Sequence, residues 1–266
     1  MRLLVLFITL FQLYLCKADS LTVLLTKEEA DVGSLNIFTL QGIGAVATIN
    51  MDSMILLDSP NLDIVNWGKG NYGEKIIACG GNLYSKDYDS LCILNQNKPM
   101  ASITKFDTID FNIFEGTDST FFVVQNDTLS SSVFEINPLK NSYRLIFNAI
   151  GFIKKISSNK RIFVILIDNS LFVLNDQFTP RCLYRDPGTL NDVVFTPYGL
   201  ITATDHEIFH IPTSDKIISL GNIGARRLWW VDWSLYIETS DGNLVVIDNL
   251  QDFISENLTP NKTSSE

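Results

Sequence analysis

The feature that most constrains this chain is a recurring turn. Asp127, Asp168, Asp205 and Asp241 each stand between two short apolar runs, at successive intervals of 41, 37 and 36 residues. Asp-Asn and Asp-Gly suit such positions because tight hairpins between antiparallel strands need positive φ, which Gly, Asn and Asp tolerate best. The repeat is clearest in residues 190–222, LNDVVFTPYGLITATDHEIFHIPTSDKIISLGN. Its apolar runs at 192–196, 200–204, 207–211 and 216–220 are separated by Pro197-Tyr198-Gly199, Asp205-His206 and Thr213-Ser214-Asp215. That reads as one four-stranded antiparallel unit.

Periods near 40 residues with four strands apiece are the pattern of β-propeller blades. Upstream, the same plan runs through GFIKKI, RIFVILI, SLFVL and RCLYR, through IDFNIF, TFFVV, SVFEI and YRLIF, and through DIVNW, KIIAC, LCIL and residues 101–105. Downstream, RRLWWV, LYIET and NLVVI stop at Asn249 without a fourth strand. These short runs recur without a 3.6-residue period, which excludes a helical or α/β chain. The isolated run LTVLLT at residues 21–26 can supply the missing outer strand of the last unit and leave no edge unpaired. The expectation is an all-β propeller of five or six four-stranded blades, closed by the N-terminal strand, in a single domain over residues 19–250. Residues 35–60 divide irregularly and set the count. Residues 251–266 read as a flexible, solvated tail.

The opening MRLLVLFITLFQLYLCKADS has Arg2 as a basic start, an apolar stretch over about residues 3–15, and a small residue at Ala18. It is the pattern of a signal peptide over residues 1–18, too short to span a bilayer, so the expected location is secreted and extracellular, with no membrane partner. Of 20 basic and 30 acidic residues, removal of Arg2 and Lys17 leaves 18 against 30, a net charge of −12. Such a surface disfavours nucleic acid. In an oxidising compartment Cys79 and Cys92 are disulfide candidates, because IIAC and CIL could pair as a hairpin; Cys182 is then a buried free thiol, or takes part in an intermolecular bridge or a different pairing. Asn126, Asn257 and Asn261 head glycosylation sequons.

Three features could carry chemistry. His206-Glu207-Ile208-Phe209-His210 matches the zinc-protease pattern HExxH, but that chemistry needs a helix to bring both imidazoles to one metal. In a strand the two histidines lie roughly 13 Å apart. Arg226-Arg227-Leu228-Trp229-Trp230-Val231-Asp232-Trp233 concentrates three tryptophans on an expected inner strand, either as packing or as part of an aromatic pocket in which indoles stack and Arg binds carboxylates. Inner-strand entrances beside a central channel would hold Asp110, Asn191, Asp192, Arg226 and Arg227, as turn caps or as a site for a cation or a polar head group. No nucleophilic triad is visible, and no cofactor or metal is implied.

The runs FDTIDFNIFEGTDSTFFVV, LNDVVFTPYGLITATDHEIFHI and LYIETSDGNLVVID resemble the insect ommochrome-binding proteins, over about residues 105–249. These are secreted haemolymph propellers distantly similar to the regucalcin and gluconolactonase group. The resemblance implies a non-catalytic carrier of a small aromatic ligand, an ommochrome pigment or a tryptophan-derived precursor such as hydroxykynurenine. Asn191-Asp192 is similar to a metal position of the regucalcin-type lactone hydrolases, but their early Glu-Gly-Pro-x-Trp motif is absent here. The sequence therefore leaves three functional classes: a ligand carrier with Asp110, Asn191, Asp192, Arg226, Arg227 and Trp229 about its site, a propeller that binds a protein partner, and a metal-dependent hydrolase.

Overall fold

In the computed structural model the described residues are 21–25, 35–40, 43–49, 51, 53–57, 74–87, 90–94, 98–99, 111–116, 119–159, 162–175, 178–186, 188–212 and 217–258. Residues 1–18, DIVNW, residues 101–105, Asp110 and Asn261 lie outside them. Six small sheets stand in a ring as a six-bladed β-propeller. The first described blade has three strands, β2 (Asn36–Leu40), β3 (Gly44–Ile49) and β4 (Ser53–Leu56), rather than the four anticipated. The second is β5 (Lys75–Cys79), β6 (Asn82–Asp87), β7 (Ser90–Ile93) and β8 (Lys98–Pro99). The third is β9 (Phe111–Glu115), β10 (Phe121–Asn126), β11 (Ser130–Asn137) and β12 (Ser142–Ile150). The fourth is β13 (Ile153–Asn159), β14 (Ile162–Ile167), β15 (Ser170–Leu174) and β16 (Pro180–Arg185). The unit at 190–222 is the fifth, β17 (Leu190–Thr196), β18 (Gly199–Thr204), β19 (Ile208–Ile211) and β20 (Ile218–Ser219).

The sixth blade combines the two ends of the chain. Strands β21 (Ala225–Val231), β22 (Ser234–Thr239) and β23 (Leu244–Ile247) form an antiparallel meander. β1 (Leu21–Leu25) adds to its outer edge in antiparallel register, Leu21 opposite Ile247 and Thr22 opposite Val246. The closure anticipated from the three-strand remnant is the one observed.

The apolar runs are continuous because the middle strands are buried on both faces, like strands of a covered parallel sheet. Successive side chains point to opposite faces, so each run feeds two inter-blade cores. Phe121 and Val123 pack toward the second blade, while Phe122 and Val124 pack toward the fourth. Leu235 and Ile237 face the fifth blade, and Tyr236 faces the first. Every junction between neighbouring blades holds such a cluster, including the closing junction of blades six and one, where Leu25, Leu244 and Val246 meet Leu35 and Ile37. Some junctions are tight: a Cβ at Gly224 would lie 1.8 Å from the Asp205 carbonyl oxygen, so only glycine fits between blades five and six.

Two expectations fail here. The expected tail over 251–266 is packed over its described part, residues 251–258: Leu250–Leu258 form helix α1, whose Leu250, Phe253 and Ile254 are buried against blades five and six. The segment looked polar because only one side is apolar, the 3.6-period signature of a packed surface helix. Cys79 and Cys92 form no disulfide. They are not hairpin partners, since β6 lies between their strands: Cys79 opposes Asn82, and Cys92 opposes Ser85. Two strand spacings are about 9.6 Å, beyond the roughly 7 Å a disulfide bridges. Cys79 is a buried thiol whose pKa is pushed up to about 11, by desolvation and then by the charge of Glu115. Cys182 is exposed, so it is not the buried thiol of the first alternative.

If α1 is part of the core, Phe253→Ala lowers the unfolding free energy by about 3–5 kcal/mol, whereas the exposed Gln251→Ala changes it by less than about 0.5 kcal/mol. Urea midpoints compare the two; equal midpoints would detach the helix from the fold.

Candidate functional site

The polar residues near the start of the inner strands are held by a repeated backbone device. β13, β17 and β21 each carry a bulge one residue from their start, at Ile153/Lys155, Leu190/Asp192 and Ala225/Arg227. A bulge inserts one residue and re-aims its neighbours. The inserted residues reach sideways: Lys154 Nζ donates to the Leu190 carbonyl at 3.2 Å, and Asn191 Nδ2 donates to the Ala225 carbonyl at 2.8 Å and to Asp205 Oδ1 at 2.9 Å. Each ties its blade to the first residue of the next. The residues that follow, Lys155, Asp192 and Arg227, belong to a buried charge cluster.

Asp192 is only 3% exposed. Its Oδ2 accepts from Lys155 Nζ at 3.0 Å and from the Leu228 backbone N–H at 2.8 Å, and its Oδ1 accepts from the Val193 N–H at 2.8 Å. The carboxylate thereby joins blades four, five and six. Arg227 donates to Glu238 and, at 2.8 Å, to the Leu35 carbonyl of the first blade, with its guanidinium 5.4 Å from the Trp229 ring centroid. Arg226 is exposed.

Above this cluster a cavity of about 120 Å³ occupies the centre of the ring, with residues from all six blades in its wall. Its polar side chains include Asn36, Lys75, Glu115 and Lys155, and its aromatic ones are Phe114, Trp229 and Trp230. Of the residues singled out from sequence, Trp229 and its neighbour in the tryptophan run, Trp230, line it. Asp192 and Arg227 support it from behind by fixing Lys155 and Trp229, Asn191 caps the next blade, and Asp110 lies outside the described residues. Trp233 is not on the inner strand but in the β21–β22 turn, at φ 69° and 71% exposed.

Lys75, Glu115 and Lys155 went unnoticed because each inner strand carries its charge at a different position. Aligning the strands on their bulges would have placed Lys155 beside Asp192. Lys75 Nζ lies 3.6 Å from the Phe114 ring centroid, and among the described residues it has no carboxylate within ion-pair distance. Burial, then the charges of Lys155 and Arg227, hold its pKa well below the ordinary lysine value, against the opposing pull of Asp192 and Glu115. Burial raises Glu115 above the ordinary glutamate value despite Lys155 and Lys75. Glu115 keeps solvent contact inside the channel while protein surrounds it. Both groups are thus pushed toward their neutral forms.

The histidine motif dissolves into structure. His206 sits in the β18–β19 turn and His210 in β19, where its Nε2 pairs with the Tyr198 carbonyl at 2.8 Å. No cluster of three or more His, Cys, Asp or Glu residues suited to a metal occurs among the described residues. Asn126 is buried; its Nδ2 donates to the Ile153 carbonyl at 3.3 Å and its Oδ1 accepts the Ile153 N–H at 3.2 Å, so this sequon is built into the junction of blades three and four. Asn257 is exposed on α1.

Two measurements test these assignments. Asp192→Ala strands the Lys155 ammonium and two backbone donors, and is expected to cost about 3–5 kcal/mol of stability; a loss under about 1 kcal/mol would return Asp192 to a ligand role. For Lys75 the unfolded chain holds the proton more tightly than the folded one, so stability rises with pH between the depressed folded value and about 10.5. Lys75→Met removes that penalty: the variant is more stable than the wild type at pH 7, and the difference closes as pH approaches 10.5, read from chemical-denaturation curves across that range.

No protein-family model matches this chain, and no curated protein matches it in sequence. Solved structures do. A gluconolactonase from Xanthomonas campestris, XC5397, aligns with a TM-score of 0.62 at 8% identity, over 85% of this chain and 89% of that one. The extracellular domain of a one-component system, BT4673, from B. thetaiotaomicron aligns with a TM-score of 0.55 at 10% identity, over 79% of this chain and 33% of that one. BamB from Moraxella catarrhalis aligns with a TM-score of 0.47 at 14% identity, over 77% of this chain and 66% of that one. This chain spans a third of the BT4673 chain and about two thirds of BamB. At these identities the shared property is the propeller fold, on which many functions are built.

Proposed function

We propose that this is a secreted, non-catalytic binding protein whose ligand is a small aromatic molecule bearing an acid group, held in the central channel. The observation that carries the reading is the conjunction of Lys75 and Lys155 with Phe114, Trp229 and Trp230 on one cavity wall. Amines attract a carboxylate, and indole faces stack on a flat ring. The resemblance to ommochrome-binding proteins adds the chemical class, a tryptophan-derived pigment or precursor. A cavity of about 120 Å³ is below the roughly 300–1,000 Å³ of drug-sized sites. That favours a precursor such as hydroxykynurenine, with its acid end in the channel, over a bulky pigment enclosed whole. Secretion rests on the N-terminal leader pattern.

The hydrolase alternative has less support, because the Asp192 carboxylate already accepts from Lys155 and two backbone amides. A protein-binding role draws on one observation: the outer strand β12 exposes Tyr143, Leu145 and Ile150, an apolar edge of the kind that recruits partners.

The test is fluorescence titration of the purified protein. Hydroxykynurenine is expected to quench tryptophan emission at micromolar concentration, and Trp230→Phe to reduce the amplitude of quenching while Lys155→Met weakens affinity about tenfold or more. Absence of quenching up to millimolar ligand would overturn the reading; lactone turnover dependent on a divalent cation would favour the hydrolase instead.

A further inference from the structure

The polar wall of the channel is not evenly matched. Lys155 is paired with Asp192 at 3.0 Å while part of its side chain stays exposed, and Arg227 is paired with Glu238. Lys75 is left over, its Nζ set 3.6 Å from the centre of the Phe114 ring and open to the cavity. Glu115, on the adjacent blade, lines the same cavity and has no ion pair among the described residues. An amine with no ion-pair partner among the described residues, in a partly apolar channel, is a poor structural element and a good nucleophile. It is the free base that attacks carbonyl carbon, and desolvation next to other cations is the arrangement that supplies free base at neutral pH.

We infer that Lys75 captures small carbonyl acids, of the α-keto acid class, as a reversible imine, with the ligand carboxylate drawn to Lys155. The Lys75 nitrogen bonds to the carbonyl carbon while the carbon–oxygen π bond opens to give a carbinolamine. Carbinolamine oxygen then leaves as water with both amine hydrogens, and a carbon–nitrogen double bond remains. One water is released, nothing is oxidised or reduced, and hydrolysis reverses the step. Glu115 is the acid of the cavity that relays the proton to the departing oxygen. Burial, with the charges of Lys155 and Arg227, keeps the Lys75 amine well below the ordinary lysine range, and the protein packed around Glu115 raises its carboxyl above the ordinary glutamate value although the side chain keeps solvent contact. The two perturbations are complementary, the usual relation of a nucleophile to its proton donor.

The inference rests on the channel being the binding site proposed above but adds a covalent bond that the carrier reading does not need. It is tested on the full protein with phenylpyruvate, an aromatic α-keto acid, and sodium cyanoborohydride to reduce the imine. Intact mass is expected to show one adduct per chain, mapped by peptide analysis to Lys75. Lys75→Arg cannot form the imine; it should lose the adduct while keeping a normal thermal transition. Glu115→Gln should slow capture by about tenfold or more, with the adduct still mapping to Lys75. No adduct on the wild type, adducts spread over surface lysines, or an undiminished adduct on Lys75→Arg would each overturn the inference. A Lys75 adduct from a protein that shows no quenching with hydroxykynurenine would retain the covalent capture and sink the pigment-precursor reading alone.

Discussion

The inner strand of each blade has only one neighbour in its sheet, so its other edge presents N–H and C=O groups that no ladder satisfies. Burying such groups unpaired is costly, and much of the polar architecture of this protein meets that requirement. The Leu228 N–H goes to Asp192, the Ile76 N–H to Asn36, the Ile153 N–H to Asn126 and the Phe195 N–H to Ser157. The carbonyls of Leu35, Glu74, Leu190 and Ala225 are taken by Arg227, Asn36, Lys154 and Asn191. In each case the donor and acceptor belong to consecutive blades. Side chains thus complete between blades what backbone ladders complete within them, and the apolar clusters at each junction are held in register as a result.

That constraint explains why polar residues that looked like a ligand site are mostly fasteners. Asn191, Asp192 and Arg227 stand where a channel ligand would be sought, yet each is occupied by a neighbouring blade. What remains for a ligand is the set of groups the fold leaves unsatisfied. Among the described residues Lys75 and Glu115 have no ion pair, and the cavity they share with Trp229 and Trp230 is the site of the proposed binding, where side chains can change without dismantling a blade junction. Keeping an unmatched amine there lowers stability at neutral pH, the trade-off expected at a functional site.

The likeness to a gluconolactonase at 8% identity has to be read through the same lens. Six blades around a channel follow from short strands, tight turns and one closing strand, and they say nothing of the groups in the channel. Chemistry depends on which inner-strand side chains are spared from fastening, and here the spared ones are an amine and a carboxyl rather than a set of metal-ligating carboxylates.

The propeller was legible in the sequence because its causes are local. Asp-headed turns such as Asp168, at φ 50°, report hairpin geometry directly, and TFFVV or RIFVILI reports a strand buried on both faces. Even the closing strand could be inferred, since a three-strand remnant and an orphan strand have one economical solution. Helix α1 was less legible, because the burial of Phe253 and Ile254 is created by blades five and six and not by the segment itself. The supposed Cys79–Cys92 bridge failed for a related reason: two cysteines in one sheet say nothing of the strand between them. The division of charged side chains into fasteners and free groups was decided by tertiary structure alone. Lys75 and Lys155 are both lysines near the start of an inner strand; Lys155 finds Asp192 across a blade junction, whereas Lys75 lies over the face of Phe114 and has no ion pair among the described residues. Distances between blades, which no local pattern encodes, make that difference.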